Sequence, residues 1–281
     1  RLAAQGMRFT DAHAPTAVCT PTRYAILTGR YCWRTRLTSG VLGIWGKPLI
    51  PATRLTVPSL LKQNGYATAC LGKWHLGWDW ATKDGQPPAI GPDRLSNVDF
   101  TKPIGGGPTT IGFDRYFGVD LPNFPPYCFI DQDRTVGIPS VASRPEFNRP
   151  GPMLPDWQWV DIMPEITRRA VSYVAGRKEA REPFFLYLPL TAPHYPVVPS
   201  KDFAGKTQAG EYGDFVAQVD DTVGQVMAAL QQNGLAENTL VIFTSDNGPE
   251  ISNEVTPGVY DRFEKYGHAS MGPLRGAKRD I

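Results

Sequence analysis

Two uninterrupted apolar runs, Pro183–Leu190 (PFFLYLPL) and Thr239–Thr244 (TLVIFT), flank the clearest helical pattern in the chain. Runs this short, without polar alternation, read as strands covered on both faces. Between them, Tyr212–Gln232 places Val216, Val219, Val223, Val226, Met227 and Leu230 on one stripe, and Gly234 follows as a stop. Strand, crossover helix and strand make the repeating unit of a parallel sheet. The chain is therefore expected to be α/β, with a mostly parallel central sheet flanked by helices.

The rest of the chain fits that frame. Met7–Ala12 reads as a short strand. Pro21–Thr28 reads as a helix, with Thr20 as N-cap, Pro21 at the first helical position and Gly29 at the end. Val57–Asn64 is a second helix closed by Gly65, and Tyr66–Leu71 a buried strand ending at Gly72. Asp161–Arg177 is helical through Ile162, Ile166, Ala170, Val171 and Val174. Ala81–Asn123 and Pro122–Pro155 carry turn residues and little periodicity, so they read as long loops with short elements. The 28 glycines and 27 prolines are consistent with many shaped loops on a scaffold. A net charge of +2 gives no footprint for nucleic acid or an anionic membrane, and no apolar run approaches spanning length. Cys19, Cys32, Cys70 and Cys128 match no zinc spacing and no CxxC motif.

Four polar clusters follow strand-like segments: CTPTR at Cys19–Arg23, GKWHLG at Gly72–Gly77, APHYP at Ala192–Pro196 and SDNG at Ser245–Gly248. A fifth, GPLRGAKRD, covers Gly272–Asp280. Singly, each has an ordinary explanation as a turn, a solvated charge or a satisfied histidine. Together they put one cysteine, two histidines, two lysines, an arginine and an Asp–Asn pair where an α/β sheet presents its site. That inventory suits an anionic tetrahedral substrate: cations for its oxygens, imidazoles for proton transfer, and a carboxylate–amide pair for a hard metal.

Cys19-Thr20-Pro21-Thr22-Arg23 followed by Leu27-Thr28-Gly29-Arg30 resembles the signature of the type I sulfatases. The other four clusters resemble further motifs of that family, in the family's order. The resemblance implies an alkaline-phosphatase-like fold and hydrolysis of sulfate esters. It implies that Cys19 is oxidised to formylglycine by a formylglycine-generating enzyme, and that the aldehyde hydrate is the nucleophile. Arg23 would hold the hydrate. Lys73 would bind it and a sulfate oxygen, and His75 would take its proton. His194 and Lys278 would hold sulfate and assist the leaving oxygen. Asp246 and Asn247, with the oxygen at residue 19, would ligate one divalent ion, Ca²⁺.

The family places two adjacent aspartate ligands after its first strand, whereas Asp11 is the only acidic residue before Cys19. Residues 1–281 are thus expected to be an incomplete catalytic domain lacking the first strand and a C-terminal part, and inactive alone. A sulfated carbohydrate is the expected substrate, with Trp45, Trp78, Trp80, Tyr116, Phe117, Phe124, Tyr127, Trp157 and Trp159 either stacking on sugars or packing under loops. A phosphodiester or phosphonate monoester hydrolase using the same formylglycine, and a non-catalytic binder of sulfated glycans, are the alternatives. By resemblance the protein is expected in the periplasm, outside the cell or in lysosomes.

Overall fold

A computed structural model describes residues 2–144, 149–251 and 258–280. Its main sheet has five strands: β1 (Ala67–Lys73), β2 (Arg115–Val119), β3 (Ile130–Asp131), β4 (Arg134–Thr135) and β7 (Phe184–Tyr187), in the order β4-β3-β2-β1-β7. β1 runs parallel to both β2 and β7, and β3 and β4 add an antiparallel margin. Two short strands, β5 (Val141–Ala142) and β6 (Pro152–Met153), form a separate antiparallel pair. Helices α1 (Cys19–Thr28), α2 (Val57–Gln63), α3 (Ile162–Ala175), α4 (Gly210–Gln232) and α5 (Val259–Tyr266) complete the framework. This is the expected α/β architecture.

β1 is paired on both sides, by β2 and β7, and every residue from Thr68 to Lys73 is buried. Gly72, expected to end the strand, lies inside it opposite Gly118 of β2. A Cβ at Gly72 would sit 2.2 Å from the Pro189 carbonyl oxygen, and one at Gly118 1.8 Å from the Gly72 oxygen. The strand continues because neither residue has a side chain, and so it delivers Lys73 to its carboxyl end.

Several expectations needed correction. α1 begins at Cys19 with Val18, not Thr20, as N-cap. The Thr20 hydroxyl is used elsewhere: it donates to the His75 carbonyl and accepts from the Leu42 N–H. Gly29 does close the helix, at φ 65°. β2 is one of the short elements expected within Ala81–Asn123, though its place beside β1 was not read, and α5 was not anticipated. Of the expected α4 stripe, Val219, Val226, Met227 and Leu230 pack against core clusters while Val216 faces solvent, and the most buried positions include Phe215, Gln218, Thr222 and Ala229. Polar contacts join that seam: Thr222 shares a 2.9 Å hydroxyl bond with Thr167 of α3, and Gln218 accepts from the Ser200 N–H. β7 is shorter than its apolar run, with all four residues half-buried, because prolines bound the run and the strand pairs on one side only.

Neither Met7–Ala12 nor Thr239–Thr244 is a strand. Leu240 is 86% exposed and Ile242 77%, while Val241 packs beside Val174, Ala229 and Leu230. Among the described residues no strand stands alongside either segment, so neither has a ladder to join. All four cysteines are free and buried. Of the nine loop aromatics, eight are buried and Trp45 packs against the main core, which favours packing over sugar stacking.

Candidate active site

Cys19 is the first helical residue of α1 and is buried. The free N–H groups and dipole of a helix start favour an anion there. Arg23, one turn further, ties three stretches together. Its Nη1 donates to the Lys73 carbonyl (2.9 Å), and its Nε and Nη2 donate to Asp246 Oδ2 (3.1 and 2.9 Å). Burial works against the Arg23 charge, but Asp246, with smaller help from Tyr187 and Cys19, more than offsets it. Lys73 ends β1 at 1% exposure, and burial lowers its ammonium from the usual lysine range. Cys19 is close enough to both cations to interact with them electrostatically.

Thr20 ties in the next residue group. Its hydroxyl donates to the His75 carbonyl (3.1 Å) and accepts from the Leu42 N–H (3.3 Å), while the Leu42 carbonyl accepts from His75 Nε2 (3.0 Å). A carbonyl can only accept, so the neutral ring carries its proton on Nε2 and leaves the lone pair on Nδ1. Nδ1 is buried without a hydrogen-bond partner. Burial, then Lys73, push His75 well below the ordinary imidazole value. His75 is therefore a neutral base with an open acceptor nitrogen. Its backbone has φ 56°, and Asp120 Oδ1 accepts both its N–H and the Trp78 indole N–H, each at 3.1 Å. Burial raises Asp120 to about 6.

His194 lies on the turn after β7. Its Nδ1–H donates to the Tyr195 carbonyl (2.6 Å), and Lys278 Nζ lies 3.4 Å from its Nε2. Burial, Lys73 and Lys278 all depress its pKa well below the usual value. Lys278 also pairs with Glu250 at 3.0 Å, and Glu250 pairs with Arg279. The Lys278 and Arg279 N–H groups bond to the Pro249 and Ala17 carbonyls, fastening this segment beside the lead into α1.

Burial alone would raise the Asp246 carboxyl, yet Arg23 and Lys73 hold it below its ordinary value. Next to it, Asn247 Nδ2 donates to the Gly248 carbonyl, and Oδ1 is buried with no partner. An orphaned amide oxygen beside an ionised carboxylate fits a hard cation in kind. Among the described residues no group of three or more His, Cys, Asp or Glu is arranged to hold a metal, so these two could supply only part of a shell.

The structure thus gathers Cys19, Arg23, Lys73, His75, His194, Asp246, Asn247 and Lys278 through one linked set of contacts. Sequence reasoning missed Thr20 as a link, Leu42 as the carbonyl that sets the His75 tautomer, Asp120 and Glu250. Asp120 directly follows β2, so reading that strand would have exposed it by the same rule that found His75. Leu42 acts through its backbone and left no signal.

A family model for sulfatases matches residues 1–278. The N-acetylgalactosamine-6-O-sulfatase of Bacteroides thetaiotaomicron is 33% identical, across 99% of this chain and 58% of that protein. Arylsulfatase A of Homo sapiens is 33% identical, across 89% of this chain and 46% of that protein. A solved 6S-sulfatase from work on glycosaminoglycan metabolism by Bacteroides thetaiotaomicron superimposes with a TM-score of 0.78 at 31% identity, covering 99% of this chain and 62% of that one. The chain spans about half the length of the curated relatives it matches. On the motifs, the fold and these likenesses, the chain belongs to the sulfatase family.

Proposed function

We propose that the protein hydrolyses sulfate esters to an alcohol and inorganic sulfate, using residue 19 after conversion to formylglycine. The observation that carries this reading is Cys19 at the start of α1, interacting with Arg23 and Lys73 and linked through Thr20 to the neutral His75. As a gem-diol, formylglycine would supply one hydroxyl oxygen to attack sulfur as the alcohol leaves, its proton replacing the one that Lys278 gives to the leaving oxygen, and a second hydroxyl whose deprotonation would break the bond to sulfate and restore the aldehyde. His75 accepts that second proton at Nδ1, the nitrogen left open by the Leu42 contact. Lys73 and Lys278 hold sulfate oxygens. Lys278 gives the leaving oxygen its proton, and the lone pair on His194 Nε2, 3.4 Å from Lys278 Nζ, orients that ammonium. Arg23 is occupied by Lys73 and Asp246, so it fixes the frame around residue 19 and balances the anionic charge.

Asp246, Asn247 and the oxygen at residue 19 would hold a divalent ion, with Ca²⁺ favoured by an all-oxygen set. Such an ion, when bound, polarises sulfate and acidifies the hydrate. The N-acetylgalactosamine-6-sulfatases among its relatives support a sulfated carbohydrate as substrate.

The test has two parts. Made together with a formylglycine-generating enzyme, the protein's Cys19 peptide loses mass and reacts with a hydrazide, while those of Cys32, Cys70 and Cys128 do not. The full-length protein then releases sulfate from defined sulfated sugars, and His75→Ala lets alcohol release outrun sulfate release. A Cys19 that stays a thiol, or phosphate released faster than sulfate from matched esters, overturns the reading.

A further inference from the structure

Residues 12–78 contain eight arginines and lysines and no aspartate or glutamate, although the whole chain has a net charge of only +2. Arg23 and Lys73 belong to the site already described. Four others, Arg30, Arg34, Arg36 and Arg54, line one pocket of about 280 Å³ together with Tyr31. This pocket lies beside the C-terminal half of α1, where Tyr24 also lines it, and its arginines lie past the helix end. Cys19 is at the opposite end, roughly 15 Å away at about 1.5 Å per helical residue.

The guanidiniums there lack anionic partners. None of the four forms an ion pair among the described residues. Arg36 is held in place by donating to the Pro48 and Lys47 carbonyls. Arg54 Nε is buried and has no hydrogen-bond partner, an unmet donor in a pocket of like charges. Four cations line one pocket without a counter-ion, so an anion bound there would gain charge-assisted contacts without displacing a carboxylate.

Beside the pocket, Tyr31 and Trp33 stack at 5.9 Å with an interplanar angle of 19°, yet remain 52% and 53% exposed. The Arg34 guanidinium lies 5.0 Å from the Trp33 ring centroid. Exposed aromatic plates next to fixed guanidiniums match a ligand with alternating ring faces and anionic groups. Nucleic acid shares those traits, but a chain of near-neutral net charge lacks the broad basic field that duplex or single-strand binding calls for.

We infer that the pocket lined by Arg30, Arg34, Arg36 and Arg54, with Tyr31 and Trp33 beside it, is a second binding site for an anionic polysaccharide, engaging sulfates or carboxylates on sugars remote from the one being cleaved. The inference deepens the proposed substrate class and rests on that reading for its role in turnover. The binding itself is measured separately.

The experiment uses the full-length protein with Cys19→Ser, which cannot consume ligand. Binding to chondroitin sulfate oligosaccharides at roughly 50 mM salt is compared with binding to neutral dextran and to single-stranded DNA of similar length. Arg34→Ala/Arg54→Ala is expected to raise Kd for chondroitin sulfate by about tenfold, as the loss of two charge-assisted contacts implies. Trp33→Ala is expected to raise it less. Neutral dextran should not bind. In the Cys19 background, the same double variant should keep its turnover of a small aryl sulfate and lose kcat/KM on the polymer. Unchanged chondroitin sulfate affinity in a double variant with unaltered melting temperature overturns the site, and so does tighter binding of DNA. If no sulfate ester is turned over but the affinity loss is seen, the catalytic reading fails and the binding site stands.

Discussion

Lys73 and His75 leave the end of a strand paired on both sides, whereas Asp246 and Lys278 stand on segments with no strand beside them among the described residues. The first pair is positioned by backbone. β1 is buried along nearly its whole length, Gly72 and Gly118 bring the strands into close contact, and carbonyls of Lys73, His75 and Leu42 take up the side chains of Arg23, Thr20 and His75. The second pair is positioned by charge. Asp246 rests on Arg23, and Lys278 rests on Glu250, while Leu240 and Ile242 just upstream face solvent. A position held by a sheet should resist pH and salt better than one held by ion pairs, because the Coulomb term titrates and screens and the ladder does not.

The largest effect should come from truncating the packed side. Leu27→Ala, at a residue with 0% exposure, is expected to lower stability by about 3 kcal/mol. Ile242→Ala, in a segment that reads equally apolar in sequence, should change it by less than about 0.5 kcal/mol. Denaturant midpoints with unchanged slopes would measure both. Equal losses would mean that Thr239–Thr244 is packed after all and would collapse the contrast.

Arg23→Gln comes next, because it severs the link between the two sides and leaves Asp246 without its cation. The cost should be about 2 kcal/mol, below that of a fully buried pair because the Asp246 side chain is 25% exposed. The folded Asp246 pKa is depressed, so its contribution is present above the unfolded value and lost as pH falls through the folded one. The variant should therefore show a smaller loss of stability on acidification below about pH 4 than the parent. Parallel acid unfolding curves would show that Arg23 is not what holds Asp246.

A smaller effect belongs to the histidines. Both His75 and His194 fold with pKa values well below the usual imidazole value. Their contribution is full above the unfolded value of about 6.5 and declines as pH drops toward the folded values. Asp120 has the opposite sign. Its pKa is raised to about 6, so its contribution is present below the unfolded carboxyl value and lost as pH rises through about 6. Two histidines outweigh one carboxyl, so melting temperature should climb between about pH 5 and 7. His75→Gln should flatten that climb, and an unaltered slope would break the neutral-His75 assignment.

The smallest effect should be that of Glu250→Gln, which removes the carboxylate shared by Lys278 and Arg279. An ion pair with one partly solvated partner is worth under about 1 kcal/mol, and the difference from the parent should shrink further in roughly 1 M salt.

The sequence alone determined much here. Apolar runs alternating with helical stripes specify a parallel α/β sheet, because a strand buried on both faces needs a crossover helix to cover it. Polar clusters after such runs locate the site, because that edge is where the chain leaves the sheet. Gly29 and Gly65 were legible as helix ends for their tolerance of positive φ. Only the tertiary structure decided what depends on a partner distant along the chain. β2 was hidden in a glycine-rich stretch, since its strand character comes from lying against β1. Thr20 looked like a cap until His75 and Leu42 claimed its hydroxyl. The stripe of α4 placed Val219, Val226, Met227 and Leu230 on the packed side, but the buried Thr222 and Gln218 make polar contacts that no hydrophobic stripe announces. TLVIFT carries every local mark of a buried strand and forms none here, because a strand is completed by the hydrogen bonds of its neighbour and not by its own composition.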